Sequence, residues 1–374
     1  MSIPADLNHL FFIALFINVI VGVDLEVGEE CYLKRDRSER GTCLLVTDCG
    51  EAIRYIKNRE RHPFPRCGFD NDMEIVCCPK SPGTKRPTTT TNSPVNTNQR
   101  TGSNNLRMVE KHCKKIVEDS IPPLDLHIIG GEDAQLGEFP HMAALGYLIN
   151  GEYDFSCGGT LISDNFVLTA DHCVDNIQQI KPSIVRLGVV NIGQNAFDPE
   201  TDIRISEIIT YPGRSSLYKY HDLALLKLEK PVQYAITLVP ACLYTGETIP
   251  AVPLTVTGWG KISVTKDIRA ENLQKANVTV VASSQCDKHY ENWRKLPEGI
   301  KQGQFCAGDP QGRTDACQGD SGGPIQALTS PDGHYRVLGV TSFGRGCGST
   351  VPGVYTRIHP YLDWIESVVW PNGI

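Results

Sequence analysis

The sequence predicts an all-β domain that ends in one helix and follows a small disulfide-rich segment. Three observations carry this. From Ile128 onward, short β-type runs succeed one another with Gly and Pro between them. Near the C-terminus the apolar spacing changes to a helical one. Near the N-terminus, six of the 14 cysteines crowd into residues 31–78. Lys plus Arg is 36 against 43 for Asp plus Glu, and the resulting net charge of −7 leaves no electrostatic footprint for nucleic acid.

In chain order, Leu10 to Val23 is apolar but shorter than the roughly 20 residues that cross a bilayer. With small Gly22 as a cleavage point, residues 1–22 read as a secretory signal peptide, not as a buried helix or an anchor. No other run reaches membrane length, so no membrane partner is expected. An exported chain with an even 14 cysteines and no CxxC pair is expected to hold seven disulfides and no metal.

Cys31, Cys43, Cys49, Cys67, Cys77 and Cys78 define a domain at residues 31–78. So short a segment has too little apolar core to fold reliably alone, and three disulfides are the expected remedy. Bridging adjacent Cys77 and Cys78 to each other would strain the backbone, so each goes to a different partner. Spacing does not choose further among the 15 pairings that six cysteines allow. Residues 79–112 read as a linker. Its stretch 81–105 is Thr, Asn, Pro and Ser with almost nothing apolar, and it cannot offset its own ordering entropy.

Residues 128–374 form the main domain. Its β-type runs are HMAALGYLI, GTLISDNFVLTA, SIVRLGVV, DIRISEIITY, DLALLKLE, PLTVTGWG, NVTVVA, YRVLGVTSFG and GVYTRI. In HPYLDWIESVVW, Tyr361, Ile365 and Val368 share one helical face and Pro360 suits a first helical position. One C-terminal helix is expected there.

Three stretches carry chemistry. VLTADHC presents His172, YHDLALLKL presents Asp222, and DACQGDSGGP presents Ser321. A lone histidine is commonly structural, and a lone aspartate before an apolar run commonly caps a strand. Few structural roles need an acid, a serine and two glycines packed together as in GDSGGP. In the order His, Asp, Ser, the three stretches resemble the chymotrypsin-like serine proteases from Ile128 to about Trp370.

That resemblance implies a double six-stranded β-barrel and a serine endopeptidase without cofactor. A serine hydroxyl is a poor nucleophile until a base takes its proton. His172 would be that base, Asp222 would orient it, and the N–H groups of Gly319 and Ser321 would hold the oxyanion. Asp315 matches the base of the primary pocket, where a carboxylate selects Arg or Lys. Gly344 and Gly353 match its walls, and Ser342 with Gly344 would pair with substrate backbone. IIGG matches an activated N-terminus: a cut between His127 and Ile128 would free an amine to pair with Asp320. His127 is short and mostly neutral, so the chain should activate itself poorly and need an upstream protease of non-trypsin preference. The family pattern implies Cys157–Cys173, Cys286–Cys306 and Cys317–Cys347. That leaves Cys113–Cys242, which would hold the two pieces together after cleavage.

The N-terminal cysteines, ending in VCCP, resemble the clip domain of arthropod extracellular proteases. That implies Cys31–Cys77, Cys43–Cys67 and Cys49–Cys78. The whole layout resembles snake-like and persephone-like clip proteases. Such proteases act in extracellular cascades on a downstream protease zymogen, with Toll signalling, melanisation or dorsoventral patterning as outcome and a serpin as inhibitor. Two rival readings are a clip-mediated binding or adaptor protein and a digestive trypsin. The complete set of three groups speaks against the first, and His127 with the clip domain against the second.

Four positions depart from the family pattern. Asp171 stands where a small residue is usual; facing the imidazole it would favour the charged form, but the side chain is expected to point aside. Phe343 replaces a tryptophan. Val189 removes one ligand of a calcium site, even with Glu200 nearby, so no such site is expected. Pro352 stands where sodium-responsive relatives have Tyr. Asn277, in NVT, is the one acceptor triplet for N-glycosylation. Arg345 is read as a solvated charge.

Overall fold

The structure is a computed structural model. It describes residues 28–33, 40–57, 64–70, 73–79, 106–120, 132–175, 179–261, 268–309, 320–330, 332–344 and 350–373. The signal-peptide reading of residues 1–22 and the low-complexity stretch 81–105 lie outside the described residues. Two compact units are present, Met1–Ala52 with His62–Thr84, and Ile53–Arg61 with Lys85–Ile374.

In the first unit, β1 (Glu30–Tyr32), β2 (Arg40–Leu45), β3 (Arg66–Asp70) and β4 (Met73–Pro79) form an antiparallel sheet in the order β1-β2-β4-β3. Helix α1 (Gly50–Lys57) lies between β2 and β3 in the chain. Sulfur takes the place of a large apolar core: Cys43 and Cys49 are 0% exposed and Cys77 is 1% exposed. Cys31 is bonded to Cys77, Cys43 to Cys67 and Cys49 to Cys78, with Cα separations of 5.8, 6.0 and 5.6 Å. Successive strand residues point to opposite faces, so neighbours Cys77 and Cys78 reach different partners without strain.

The second unit begins with α2 (Met108–Asp119) and the short β5 (Glu132–Asp133). Strands β6 (Met142–Ile149), β7 (Glu152–Leu161), β8 (Phe166–Thr169), β9 (Ile184–Leu187), β10 (Asp202–Thr210) and β11 (Ala224–Leu228) close into a barrel in the order β10-β11-β8-β7-β6-β9. After β12 (Cys242–Leu243) come β13 (Leu254–Gly258), β14 (Gln274–Val281), β15 (Gln304–Gly308), β16 (Pro324–Ala327), β17 (Arg336–Phe343) and β18 (Gly353–Arg357). Pairing of β17 with β18 closes these six into a second barrel, with β12 parallel to β17 and β5 on β14. Inward positions alternate, as a strand requires: Leu145, Leu168, Val185 and Leu226 fill the first barrel, and Leu254, Phe305, Ile325 and Leu338 the second.

The expected run of strands is present, but β15 and β16 escaped the sequence reading. QFCAG and PIQA are too short and too mixed to show a period. The C-terminal helix is α5 (Leu362–Val369), behind a 3-10 turn, His359–Tyr361, that takes up Pro360. Its buried side is Leu362, Ile365 and Val369, with Val368 only partly covered. It is not the only helix: α3 (Asp171–Val174) and α4 (Ser283–Tyr290) were not expected.

Helix α2 starts at Met108, so the last five residues of the segment read as linker are helical. Val109, His112 and Ile116 form its buried side, hidden in the sequence by the charges around them. Cys113 is bonded to Cys242 with a Cα separation of 4.9 Å. Arg107 donates to Glu366 from Nε at 3.3 Å and Nη2 at 3.0 Å, and the Val109 N–H reaches the same carboxylate at 3.1 Å. Thus α2 is fastened to α5 as well as to β12.

Candidate active site

Strand pairing brings the candidate residues together. In the β8–β11 ladder Thr169 lies opposite Ala224. The residues just past the end of one strand therefore face those just before the start of the other. His172, in α3, is placed beside Asp222. Its Nδ1 lies 2.8 Å from Asp222 Oδ2, and its backbone N–H donates to Oδ1 at 2.9 Å. The Ser342 hydroxyl also donates to Oδ2, and the Thr356 hydroxyl fixes the Asp222 carbonyl at 3.0 Å. Asp222 is 0% exposed. Burial alone would raise its pKa, but the His172 charge, the His172 hydrogen bonds and the Ser342 hydroxyl hold it below the usual carboxylate range. An ionised carboxylate at this distance suits a proton on Nδ1, the arrangement in which the ring's other nitrogen is the acceptor.

The backbone of Ser321 lies close to the residue that follows His172, its carbonyl 3.6 Å from Cys173 Sγ. Its carbonyl accepts the Gly158 N–H at 2.8 Å, joining β7 to the turn before β16. Gly322 N–H and Thr341 N–H continue the link, donating to the Thr341 and Gly323 carbonyls at 2.9 Å each. Gly322 has φ +82°, and a Cβ there would lie 2.2 Å from Thr169 Oγ1 and 2.5 Å from the Gly158 carbonyl. Only glycine fits, which is the physical content of the GDSGGP motif.

Asp320, on the other side of the serine, turns away into the second barrel. Its Oδ1 accepts the Gly260 N–H at 2.8 Å. A Cβ at Gly258 would lie 2.1 Å from that oxygen, and one at Gly260 2.5 Å from Oδ2. The TGWG segment is therefore a cradle for this carboxylate.

Ser342 is buried at the foot of this arrangement, next to Phe343. Phe343 meets Trp293 and Tyr290 at ring-centroid distances of 5.2 and 5.6 Å, and Lys219 Nζ lies 5.8 Å from its ring. The sequence reading had only the phenylalanine; Trp293 and Lys219 come from segments whose sequence carries no pointer to it. At Gly344 a Cβ would meet nothing within 4 Å among the described residues. Gly353 opens β18, where a Cβ would press on the Tyr355 ring at 3.3–3.5 Å. Asp315, Gly319, His127, Ile128, Arg345 and the Cys317–Cys347 pair lie outside the described residues. Cys157–Cys173 and Cys286–Cys306 are bonded. Asn277 is exposed on β14. Pro352 is buried, and its carbonyl accepts the Tyr290 hydroxyl at 2.8 Å.

The Asp171 side chain points aside into the protein, to a partner the sequence did not suggest: Arg214 Nε donates to its Oδ2 at 2.5 Å. The loop after β9 is likewise organised by a guanidinium, that of Arg186, while Glu200 stays on its exposed rim.

Comparison with known proteins matches the trypsin family model over residues 128–365. The chain belongs to the trypsin family. Among relatives, this trypsin-family chain is 40% identical to serine protease Hayan of Drosophila melanogaster over 267 residues, which are 70% of the chain and 41% of Hayan. It thus spans less than half of Hayan's length. It is 35% identical to serine protease snk of the same species over 361 residues, 94% of the chain and 80% of that relative. It is 29% identical to CLIP domain-containing serine protease B4 of Anopheles gambiae over 371 residues, 92% of the chain and 93% of that relative. The trypsin-like serine protease therefore falls within the arthropod clip-domain branch.

Proposed function

We propose that the chain is a secreted protease zymogen, cut between His127 and Ile128, that then cleaves after Arg or Lys in a downstream protease zymogen. The single observation that carries the chemistry is the fully buried Asp222 holding His172 Nδ1 at 2.8 Å, with the Ser321 carbonyl within 3.6 Å of the neighbouring Cys173 Sγ. His172 Nε2 removes the Ser321 proton as Oγ attacks the scissile carbonyl. The imidazolium then gives that proton to the leaving amine. Water repeats the cycle on the acyl-enzyme, which regenerates the serine. Backbone N–H groups of Gly319 and Ser321 stabilise the oxyanion; one such donor is worth about two to three orders of magnitude in rate.

Asp315 supplies the pocket anion, and Gly344, which has no neighbour within 4 Å of its Cβ position among the described residues, leaves room for a long cation. In the activated form the Ile128 amine pairs with Asp320, whose cradle of Gly258 and Gly260 already holds the carboxylate beside the serine turn. One buried ion pair is worth about 3–5 kcal/mol when a partner is removed, enough to bias a loop between two states. The light chain remains attached through Cys113–Cys242 and α2. His127 calls for an activator of different preference, and a serpin is the expected class of inhibitor. The test is to cleave the purified chain at His127, add candidate clip zymogens, and sequence the new termini. New termini that follow Arg or Lys support the proposal. Termini after apolar residues, or none, contradict it.

A further inference from the structure

Asp171 is the first residue of α3, directly before His172, and its side chain is 1% exposed. A second buried carboxylate, Asp222, is hydrogen-bonded to that histidine. Only Asp222 is bonded to the imidazole, while Asp171, one residue away in the chain, turns its carboxylate aside to Arg214. Burial pushes the Asp171 pKa up, Arg214 opposes that push, and Asp222 and Asp175 add to it.

Arg214 is the group that resolves the conflict. Its Nε donates to Asp171 Oδ2 at 2.5 Å. Its Nη1 donates to the Ser215 carbonyl and, at 2.6 Å, to the Tyr218 carbonyl. Its own N–H bonds the Tyr211 carbonyl at 3.0 Å. One guanidinium thus closes the loop that follows β10 and ties it to the turn that carries His172. The same loop continues through Tyr220 and His221, the latter at φ +53°, to deliver Asp222. The contact with Asp171 is one-armed, since Asp171 Oδ1 is buried with no hydrogen-bond partner among the described residues. Arg214 is therefore the one cation bonded to this carboxylate there.

We propose that Asp171 and Arg214 are positioning residues for the reaction. The pair locks the His172 turn to the Asp222 loop, and Arg214 keeps Asp171 from competing with Asp222 for the imidazole. The charged or titratable groups that act on the pair are Asp222, Asp175, Lys219 and His221, with His172 next to Asp171 in the chain. The proposal rests on the reading of His172, Asp222 and Ser321 as the reacting set.

The experiment uses the full chain cut at His127, as wild type, Asp171→Asn, Arg214→Gln and the double variant. Two rates are followed against pH: kcat/KM on an arginyl ester, and labelling of Ser321 by a fluorophosphonate, which needs no specificity pocket. Arg214→Gln leaves a lone carboxylate beside the imidazole, so the acid limb should move to higher pH by roughly half a unit or more. Asp171→Asn leaves an unopposed guanidinium, so the limb should move to lower pH by a similar amount. The double variant should return the limb to the wild-type position while kcat stays several-fold low, because the loop is untied. If Arg214→Gln does not fold, reversal of the Asp171→Asn shift in the double variant carries the test. Limbs that all coincide, or singles that move the same way, overturn the proposal, as does lost activity with an unmoved limb. If instead the underlying reading fails, wild type itself leaves Ser321 unlabelled.

Discussion

Arg186 grips both carboxylate oxygens of Asp202, from Nε at 2.7 Å and Nη2 at 2.8 Å, in a pair whose side chains are 3% and 0% exposed. The same guanidinium reaches the carbonyls of Gln194 and Ala196 at 2.5 and 2.8 Å and lies 4.4 Å above the Phe155 ring. A fixed cation thus sits inside the loop between β9 and β10, coordinated by carboxylate and carbonyl oxygens as a bound ion would be. The Arg186→Met variant should lose about 3–5 kcal/mol of stability, because Asp202 would be left buried and unpaired. Arg186→Lys should recover only part of it, since an ammonium cannot fork. Denaturant midpoints measure both. The wild-type thermal midpoint should be the same in calcium and in chelator; a rise of several degrees with calcium would contradict this account of the loop.

Ser342 spends its hydroxyl on Asp222. Ser342→Ala should lower kcat by roughly five- to tenfold, the worth of one hydrogen bond of about 1 kcal/mol or slightly more. Asp222→Asn should cost about four orders of magnitude, because the imidazole then takes the wrong tautomer. Active-site titration alongside steady-state rates separates these losses from misfolding.

His112 and His141 are both buried, and burial pushes each to about 4 from an ordinary 6.5. The folded state therefore resists a proton that the unfolded chain accepts. Each contributes stability that is whole above about pH 6.5 and is lost as pH falls towards 4, up to about 3 kcal/mol per residue. His141, just before β6, also lies 2.6 Å from Gln326 Oε1 through its Nε2, joining the entry to the first barrel to β16 of the second. Thermal midpoints should drop steeply between pH 6.5 and 4.5, and His141→Asn should flatten that slope while lowering stability at pH 7. A midpoint independent of pH across that window would contradict the assignment.

After cleavage at His127, the light chain should stay bound without its disulfide. In Cys113→Ser with Cys242→Ser, Ile116 and Val109, 1% and 2% exposed, still bury α2, and Arg107 still holds Glu366. Adding Ile116→Asp should release the light chain on gel filtration, since an unpaired charge would enter the core. Release already in the double cysteine variant would show that the helix contacts contribute little.

How legible all this was in the sequence depends on range. The two barrels show in period-2 runs such as DLALLKL, because each residue's burial is written in its own apolarity. The neighbourhood of Ser321 shows in GDSGGP, because Gly322 has room for nothing else. Arg214 with Asp171, 43 residues apart, leaves no local trace. The same holds for Trp293 and Lys219 around Phe343, which only the closing of β17 onto its neighbours assembles. Helix α2 was hidden because MVEKHCKKIVED carries its few buried residues among charges, and its stability comes from α5 and β12, not from itself.

The most direct test compares arginyl ester hydrolysis by the intact chain with that of the same chain cut to begin a new terminus at Ile128. A gain of at least about a hundredfold, abolished by Asp320→Asn, is expected if the new amine orders the serine turn. Equal rates before and after the cut, or a cut form indifferent to Asp320→Asn, would contradict it.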